Sequence, residues 1–412
     1  LFSVCLACSG ELIRRKPRNA DRNLTTFYLV MAAGGLVGSL LIGWVVPMLS
    51  RSLVEFPLAL VMAVVSLAFC FKKPDASANV PGVNGAIRPV PGILLCSVVI
   101  ISASVLVPAL VARAGITAGR EPLLMMLMAA PITLAMLWAA GKPWQFAVLL
   151  TAALASLAFT EDIVSRGSRI SRFRNFYGIY KVYDAGNLRY LQHGTTLHGR
   201  QYISGPKAGV PLSYHHPSAP AGAMLVSTSF TFNRIGMIGL GTGALATYFG
   251  NGQTFTIFEL DPDNVPIAER SFAYLKIARD RGAAVKFVIG DGRISLRRMQ
   301  KGQLDLLLID AFNSGSIPVH LLTVEALQEY FRVLGDDGLL LMHVSNRFID
   351  LPPVVCSNAR MLGLNFCEKS NTGMVDPDAD TTQWVALCRD PQKTDLLVSL
   401  MGWSKARAGA GN

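Results

Sequence analysis

The chain has 412 residues, enough for two or three domains. Only 16% of them are charged and 51% are hydrophobic, which excludes an ordinary soluble protein and fits one that is half membrane-embedded. The net charge of +11 sits beside the apolar segments: residues 1–174 carry 16 Lys and Arg against 7 Asp and Glu, residues 175–390 carry equal numbers, and so no basic folded domain offers itself to nucleic acid.

The chain opens at Leu1 inside an apolar run and is expected to continue upstream. Apolar stretches follow at about 26–49, 53–71, 91–112, 123–140 and 144–160. A helix needs about 20 apolar residues to cross the hydrocarbon core, so the first and third are long enough and the last two lie near the lower limit. Residues 1–165 are therefore read as a transmembrane helical region of about five segments. Gly34, Gly35, Gly38 and Gly43 predict close helix packing. Glu55, near an end, is the one Asp, Glu, Lys or Arg in these stretches, which argues against a transport path. Two basic clusters, Arg14 to Arg22 and Arg166 to Arg174, both favour the cytoplasmic side. Five full spans would separate them, so one stretch is expected to be re-entrant or one cluster to break the rule. Seven scattered cysteines argue against a disulfide framework and for a reducing compartment.

Residues 161–174 are polar and basic and read as the membrane exit. A small antiparallel β region is expected next, within a domain at 175–231, from the alternation over Phe176–Asp184 and the turn Ala185-Gly186-Asn187. His193, His198, His215 and His216 cluster in sequence without a carboxylate or cysteine nearby, so they are weighed as contacts at a substrate gate and as structural residues before metal ligands.

From 232 to 390 the pattern is that of an open parallel sheet. The run Arg234–Leu240 ends in Gly239-Leu-Gly241-Thr-Gly243, with a helix expected after it. Strands predicted at Val285–Ile289, Leu304–Ile309 and Gly338–Val344 follow one at Phe255–Phe258. Their tips carry Glu259, Asp291, Asp310 and Ser345-Asn346. Ligands of such sheets bind at the carboxyl ends of the strands. An acid at the second tip suits a ribose diol, and one at the third can accept from an adenine amino group. The glycine turn lacks the Lys-Ser/Thr of a P-loop and any nearby cation, so a cationic adenosyl sulfonium fits better than a pyrophosphate. Each acid taken alone also reads as a helix N-cap. Tyr330 and Phe331 are expected in the core, and His320, which follows the loop behind Asp310, is weighed as a pocket residue against a place outside it. Asp376, Asp378 and Asp380 read as a solvated loop rather than a cation site, and no metal is expected; 391–412 is set apart as a tail.

These residues resemble a family. Gly239-Leu-Gly-Thr-Gly243, Glu259-Leu-Asp261, Gly290-Asp291 and Asp310-Ala-Phe312, preceded by His-Gly…Gln and Tyr-His segments, are similar to spermidine synthase, an aminopropyltransferase. Asn175-Phe-Tyr-Gly178, His193-Gly-Thr-Thr-Leu-His-Gly199, Ile317-Pro-Val-His-Leu-Leu-Thr323 and His343-Val-Ser-Asn346 look like its membrane-fused bacterial subgroup. The resemblance implies a Rossmann-like, methyltransferase-type α/β domain behind a small β domain, with decarboxylated S-adenosylmethionine as donor and a diamine such as putrescine as acceptor. It implies that Gly239, Gly241, Gly243, Glu259, Asp291 and Gln201 bind the donor. It also implies that Asp310 takes a proton from the amine or orients it, and that Tyr214, His215 and Asn313 stand on the substrate side. A bacterial inner-membrane protein with a cytoplasmic catalytic domain would follow, its partners the bilayer, a small amine, and a second copy or a membrane complex.

The chain departs from the family where Thr242 replaces an acid in the glycine loop, Asn313 replaces a second acid after Asp310, Gly315 replaces an acid of the fused subgroup, and His216 replaces the Glu after Tyr-His. A buried diamine ammonium wants a carboxylate, so these losses weaken the case for putrescine. Methyl transfer from intact S-adenosylmethionine, and a non-catalytic scaffold in a membrane complex, remain as alternatives.

Overall fold

The computed structural model describes residues 2–17, 22–70, 143–164, 170–194, 196–312, 317–346, 349–371 and 376–405. The chain divides into two units, Leu1–Arg169 and Ile170–Asn412.

The first unit is helical where described. Helix α1 is Phe2–Arg15. Helix α2, Arg22–Leu40, continues through a π turn at Leu41–Val45 into Val46–Leu49. Val46 N–H reaches Leu41 O to close the π turn, and Pro47 follows it with no N–H to give. Asn23–Leu49 is long and apolar enough to cross a membrane, and only 6% of its most apolar window is buried in the protein. Leu29, Val37, Trp44 and Leu49 stand exposed along it, which is costly in water and not in hydrocarbon. Helices α3 (Glu55–Cys70) and α4 (Pro143–Val164) pack together, Phe69 edge-on to Trp144 at 4.6 Å beside Val64, Ala68 and Ala147. Both contain apolar stretches shorter than a full span. The predicted stretches 91–112 and 123–140 lie outside the described residues. One helix of spanning length is therefore present among the described residues.

The second unit opens with an antiparallel four-stranded meander: β1 (Ile170–Asn175), β2 (Gly178–Ala185), β3 (Leu188–His193) and β4 (Thr196–Tyr202). It begins five residues earlier than expected. Arg172 and Arg174, assigned by their charge to the membrane exit, are strand residues paired in register with Lys181 and Ile179. A 3₁₀ turn at Ser213–His215 and helix α5 (Pro220–Val226) lead into the large domain.

There a seven-stranded sheet contains β5 (Arg234–Ile238), β6 (Thr254–Glu259), β7 (Ala284–Ile289), β8 (Leu304–Ile309), β9 (Leu334–His343), β10 (Asn365–Asn371) and β11 (Thr382–Cys388). Their order is β10-β11-β9-β8-β5-β6-β7; β11 runs antiparallel to both neighbours, and β9, β8, β5, β6 and β7 are mutually parallel. Order and direction together define the Rossmann-like, methyltransferase-type fold. The central strands β5, β8 and β9 are hydrophobic on both faces because both are covered. Ile235, Met237, Leu306 and Leu308 enter one core layer, and Ile238, Leu307, Ile309 and Met342 the other, each such burial stabilising by about 1.5–3 kcal/mol.

Helices α6 (Asn264–Ser271), α7 (Tyr274–Asp280), α8 (Gly292–Arg297), α9 (Val324–Val333) and α10 (Pro352–Met361) fill the connections. Tyr330 and Phe331 are core residues, as expected. The helix expected after the glycine turn is a short 3₁₀ segment, Ala244–Tyr248, cut off before Gly250-Asn-Gly252. Part of the presumed tail is helix α11 (Pro391–Met401), whose Leu397 is buried against the sheet. Its start, Asp390-Pro391, is a cap-and-first-turn signal visible in the sequence.

Candidate active site

The carboxyl ends of β5, β6, β7 and β8 meet at one cleft. Backbone bonds knit the tips: Gly239 N–H to Phe258 O (2.9 Å), Gly290 N–H to Glu259 O (2.9 Å) and Asp310 N–H to Ile238 O (2.9 Å). Gly239 adopts φ +93°, and a Cβ there would stand 2.3 Å from the carbonyl oxygen of Asp310, so only glycine lets the β8 tip close against the turn. The cleft encloses about 930 Å³, mouth included. Gly239, Leu240, Gly241, Glu259, Asp261, Asp291 and Asp310 line it from the sheet, and Tyr177, Tyr180, His193 and His198 from the small β region. Gly243 stands just behind, at φ +79°, where a Cβ would meet Leu275. No Lys or Arg is among the described lining residues.

Glu259 is buried and shapes the glycine turn as well as facing the cleft. Its Oε2 accepts from Leu240 N–H (3.0 Å) and Asn264 Nδ2 (3.1 Å), and its Oε1 from Asp261 N–H (2.9 Å). Burial pushes its carboxyl up, those three donors pull it back, and neighbouring Asp261 adds to the rise; the net shift is upward. About one of its four acceptor positions stays open. Asp291 does two jobs: Oδ1 caps α8 by accepting from Ile294 N–H (2.8 Å), while Oδ2 lies 3.3 Å from His320 Nε2. Its cap role and its place in the cleft coexist.

Asp310 is held differently. Its Oδ2 accepts from His215 Nε2 and its Oδ1 from His343 Nδ1, both at 2.7 Å. Burial pushes this carboxyl up, and the two histidines more than reverse that, holding it well below the usual carboxylate range. His343, driven down chiefly by its own burial, closes β9. It gains no role from sequence reasoning, although its position at the tip of the fifth strand is the same signal that marks the other four. His198 is pushed down to about 4 by burial and by neighbouring His193, so it faces the cleft uncharged at neutral pH.

Three expected positions need correction. Gln201 is absent from the cleft wall; its Nε2 donates to Ala208 O (2.8 Å) and its Oε1 accepts from Ala273 N–H (2.9 Å), which ties β4 to the large domain. Tyr214 also stands behind the wall, stacked on His343 with ring centres 4.7 Å apart, its hydroxyl toward His198 O (3.3 Å). His215 likewise backs Asp310 rather than lining the cleft. Asn313 and Gly315 lie outside the described residues. Thr242 is fully buried, and its hydroxyl finds no hydrogen-bond partner among them. His216, Asp376 and Asp378 approach one another closely enough to hold an ion, but Asp378 already accepts from Lys207 (2.7 Å) and Tyr202 (2.6 Å).

No family model matches the chain. A curated protein does: the polyamine aminopropyltransferase of Vibrio vulnificus (strain CMCP6) is 39% identical over 121 residues. Over that stretch the chain is similar to the polyamine aminopropyltransferases. The match takes in 28% of this chain, which thereby spans 38% of the relative's length. Among solved structures, a probable spermidine synthase from Corynebacterium glutamicum ATCC 13032 has a TM-score of 0.44 and 16% identity, covering 54% of this chain and 80% of its own. The spermidine synthase of Thermotoga maritima has a TM-score of 0.40 and 15% identity, with coverages of 59% and 81%.

Proposed function

We propose that the protein is a membrane-anchored aminopropyltransferase that moves an aminopropyl group from decarboxylated S-adenosylmethionine to a small amine. One observation carries this reading: the cleft is lined by four carboxylates, Glu259, Asp261, Asp291 and Asp310, and, among the described residues, by no Lys or Arg. Such a wall favours a sulfonium with a free amino tail and disfavours a donor that keeps a carboxylate. In this reading the glycine turn admits the nucleoside, Glu259 holds the ribose diol with its open acceptor position, Asp291 meets the adenine, and Asp310 faces the reacting nitrogen. The reaction is an in-line displacement, so positioning supplies most of the catalysis. Helix Asn23–Leu49 would anchor the protein, with the further apolar stretches as additional spans.

Incubating the purified protein with each sulfonium donor and a panel of amines, and following products by mass, tests this. Methylthioadenosine is expected with the decarboxylated donor. S-adenosylhomocysteine instead would identify a methyltransferase, and donor binding without either product a scaffold.

A further inference from the structure

Asp310 lines the cleft, yet both its oxygens are held from behind. The hold is rigid. Ser345 Oγ accepts from Gln383 N–H (2.8 Å) and lies 2.8 Å from His343 Nε2; Thr382 Oγ1 lies 3.0 Å from the same nitrogen. An ionised Asp310 can only accept, so His343 presents its Nδ1 proton to Oδ1, and the neutral ring then accepts at Nε2 from these hydroxyls. Tyr214 and Trp384 stack on the ring, each with centroids 4.7 Å away. His215 donates from Nε2, and its Nδ1 is buried with no partner among the described residues.

We propose that Asp310 is a fixed anion rather than a proton acceptor, and that His215 and His343 are positioning residues that keep it ionised and aimed. This deepens, and rests on, the aminopropyl-transfer reading. The titratable groups that face Asp310 are His215 from the 3₁₀ turn, His343 from β9, His198 from β4, and Tyr214. The chemistry balances without a base. The neutral amine's lone pair forms the new N–C bond, the C–S bond breaks, and its electron pair goes to sulfur, leaving a neutral thioether. Positive charge passes from sulfur to nitrogen, and the extra proton leaves on the product ammonium. A carboxylate already ionised and immobile beside that nitrogen stabilises the charge as it develops. The acceptor must then bind as the free amine.

The test uses the full-length protein in detergent, decarboxylated donor, and two acceptor amines of different basicity. In the wild type the rise of kcat/KM with pH should move with the amine's own ionisation. His343→Leu and His215→Leu should lower kcat by roughly tenfold to a hundredfold, the weight of a hydrogen bond to a charged group, leave donor KM unchanged, and recover part of the loss as pH rises. His343→Asn and His215→Gln, which restore an N–H donor, should retain most activity. A pH limb that ignores the choice of amine, or leucine variants that match the amide variants, would overturn the proposal. Nitrogen-15 spectra of selectively labelled histidines need no turnover. The proton is expected on Nδ1 of His343 and Nε2 of His215, and the opposite tautomer at His343 overturns the clamp. An inactive wild type with the expected tautomers would instead sink the transfer reading and, with it, the role assigned to Asp310.

Discussion

Glu259 and Asp310 are buried carboxylates at neighbouring corners of one cleft, and their acidities move in opposite directions. Glu259 has three hydrogen-bond donors and Asp310 two, so donor count does not decide the matter. What differs is the company. Glu259 is held by amides next to a second acid, Asp261, whereas Asp310 is held by two imidazoles. One corner is thus fitted to a neutral polar ligand such as a ribose diol, and the other to a developing positive charge.

Substitutions can break this contrast. The largest effect is expected from Asp310→Asn. It should lower transfer by about a hundredfold or more while donor affinity, read by calorimetry, stays within a few-fold. Loss of donor binding instead would make Asp310 part of the donor site. Next comes Gly239→Ala, where φ +93° and the 2.3 Å approach to Asp310 forbid a side chain. A melting curve should show a loss of roughly 1–3 kcal/mol together with impaired transfer, and an unchanged Tm would mean the turn does not fix the β8 tip.

Glu259→Gln sharpens the other corner: donor affinity should weaken roughly tenfold with kcat at saturating donor retained. The pH dependence has two signs. Because burial raises this carboxyl, ionised Glu259 costs stability, so its contribution falls as pH rises through the shifted value; donor binding needs the ionised form and strengthens over the same interval. Titrating both quantities in wild type and Glu259→Gln should show opposite slopes that vanish in the variant. Asp310, shifted down, holds its contribution throughout that interval and loses it only in stronger acid. The smallest functional effect belongs to Gln201→Ala. It should cost about 1–3 kcal/mol of stability through the orphaned Ala273 N–H and leave donor KM nearly unchanged. A raised KM would return Gln201 to the donor site.

Much of the Glu259 corner was legible in the sequence because its information is local. The glycine turn, the apolar runs and the acids that end them are neighbours along the chain, and the predicted Leu304–Ile309 coincides with β8. The Asp310 corner was legible only in part, since its partners lie 95 residues before and 33 after it. Local chemistry also misled in places. The arginines of β1 read as a membrane flank, and Gln201, a donor ligand by resemblance, turned out to satisfy backbone groups that only the tertiary fold brings near. At Asn313 the sequence raised a question about the acceptor that the described residues leave untouched.

The most direct measurement compares, by calorimetry, the affinity of the purified protein for decarboxylated S-adenosylmethionine and for S-adenosylmethionine itself. An anionic wall with no Lys or Arg among its described residues predicts tighter binding of the decarboxylated donor by roughly tenfold or more, the scale of one mispaired charge at a partly buried site. Equal affinities, or a preference for the donor that keeps its carboxylate, would contradict the assignment.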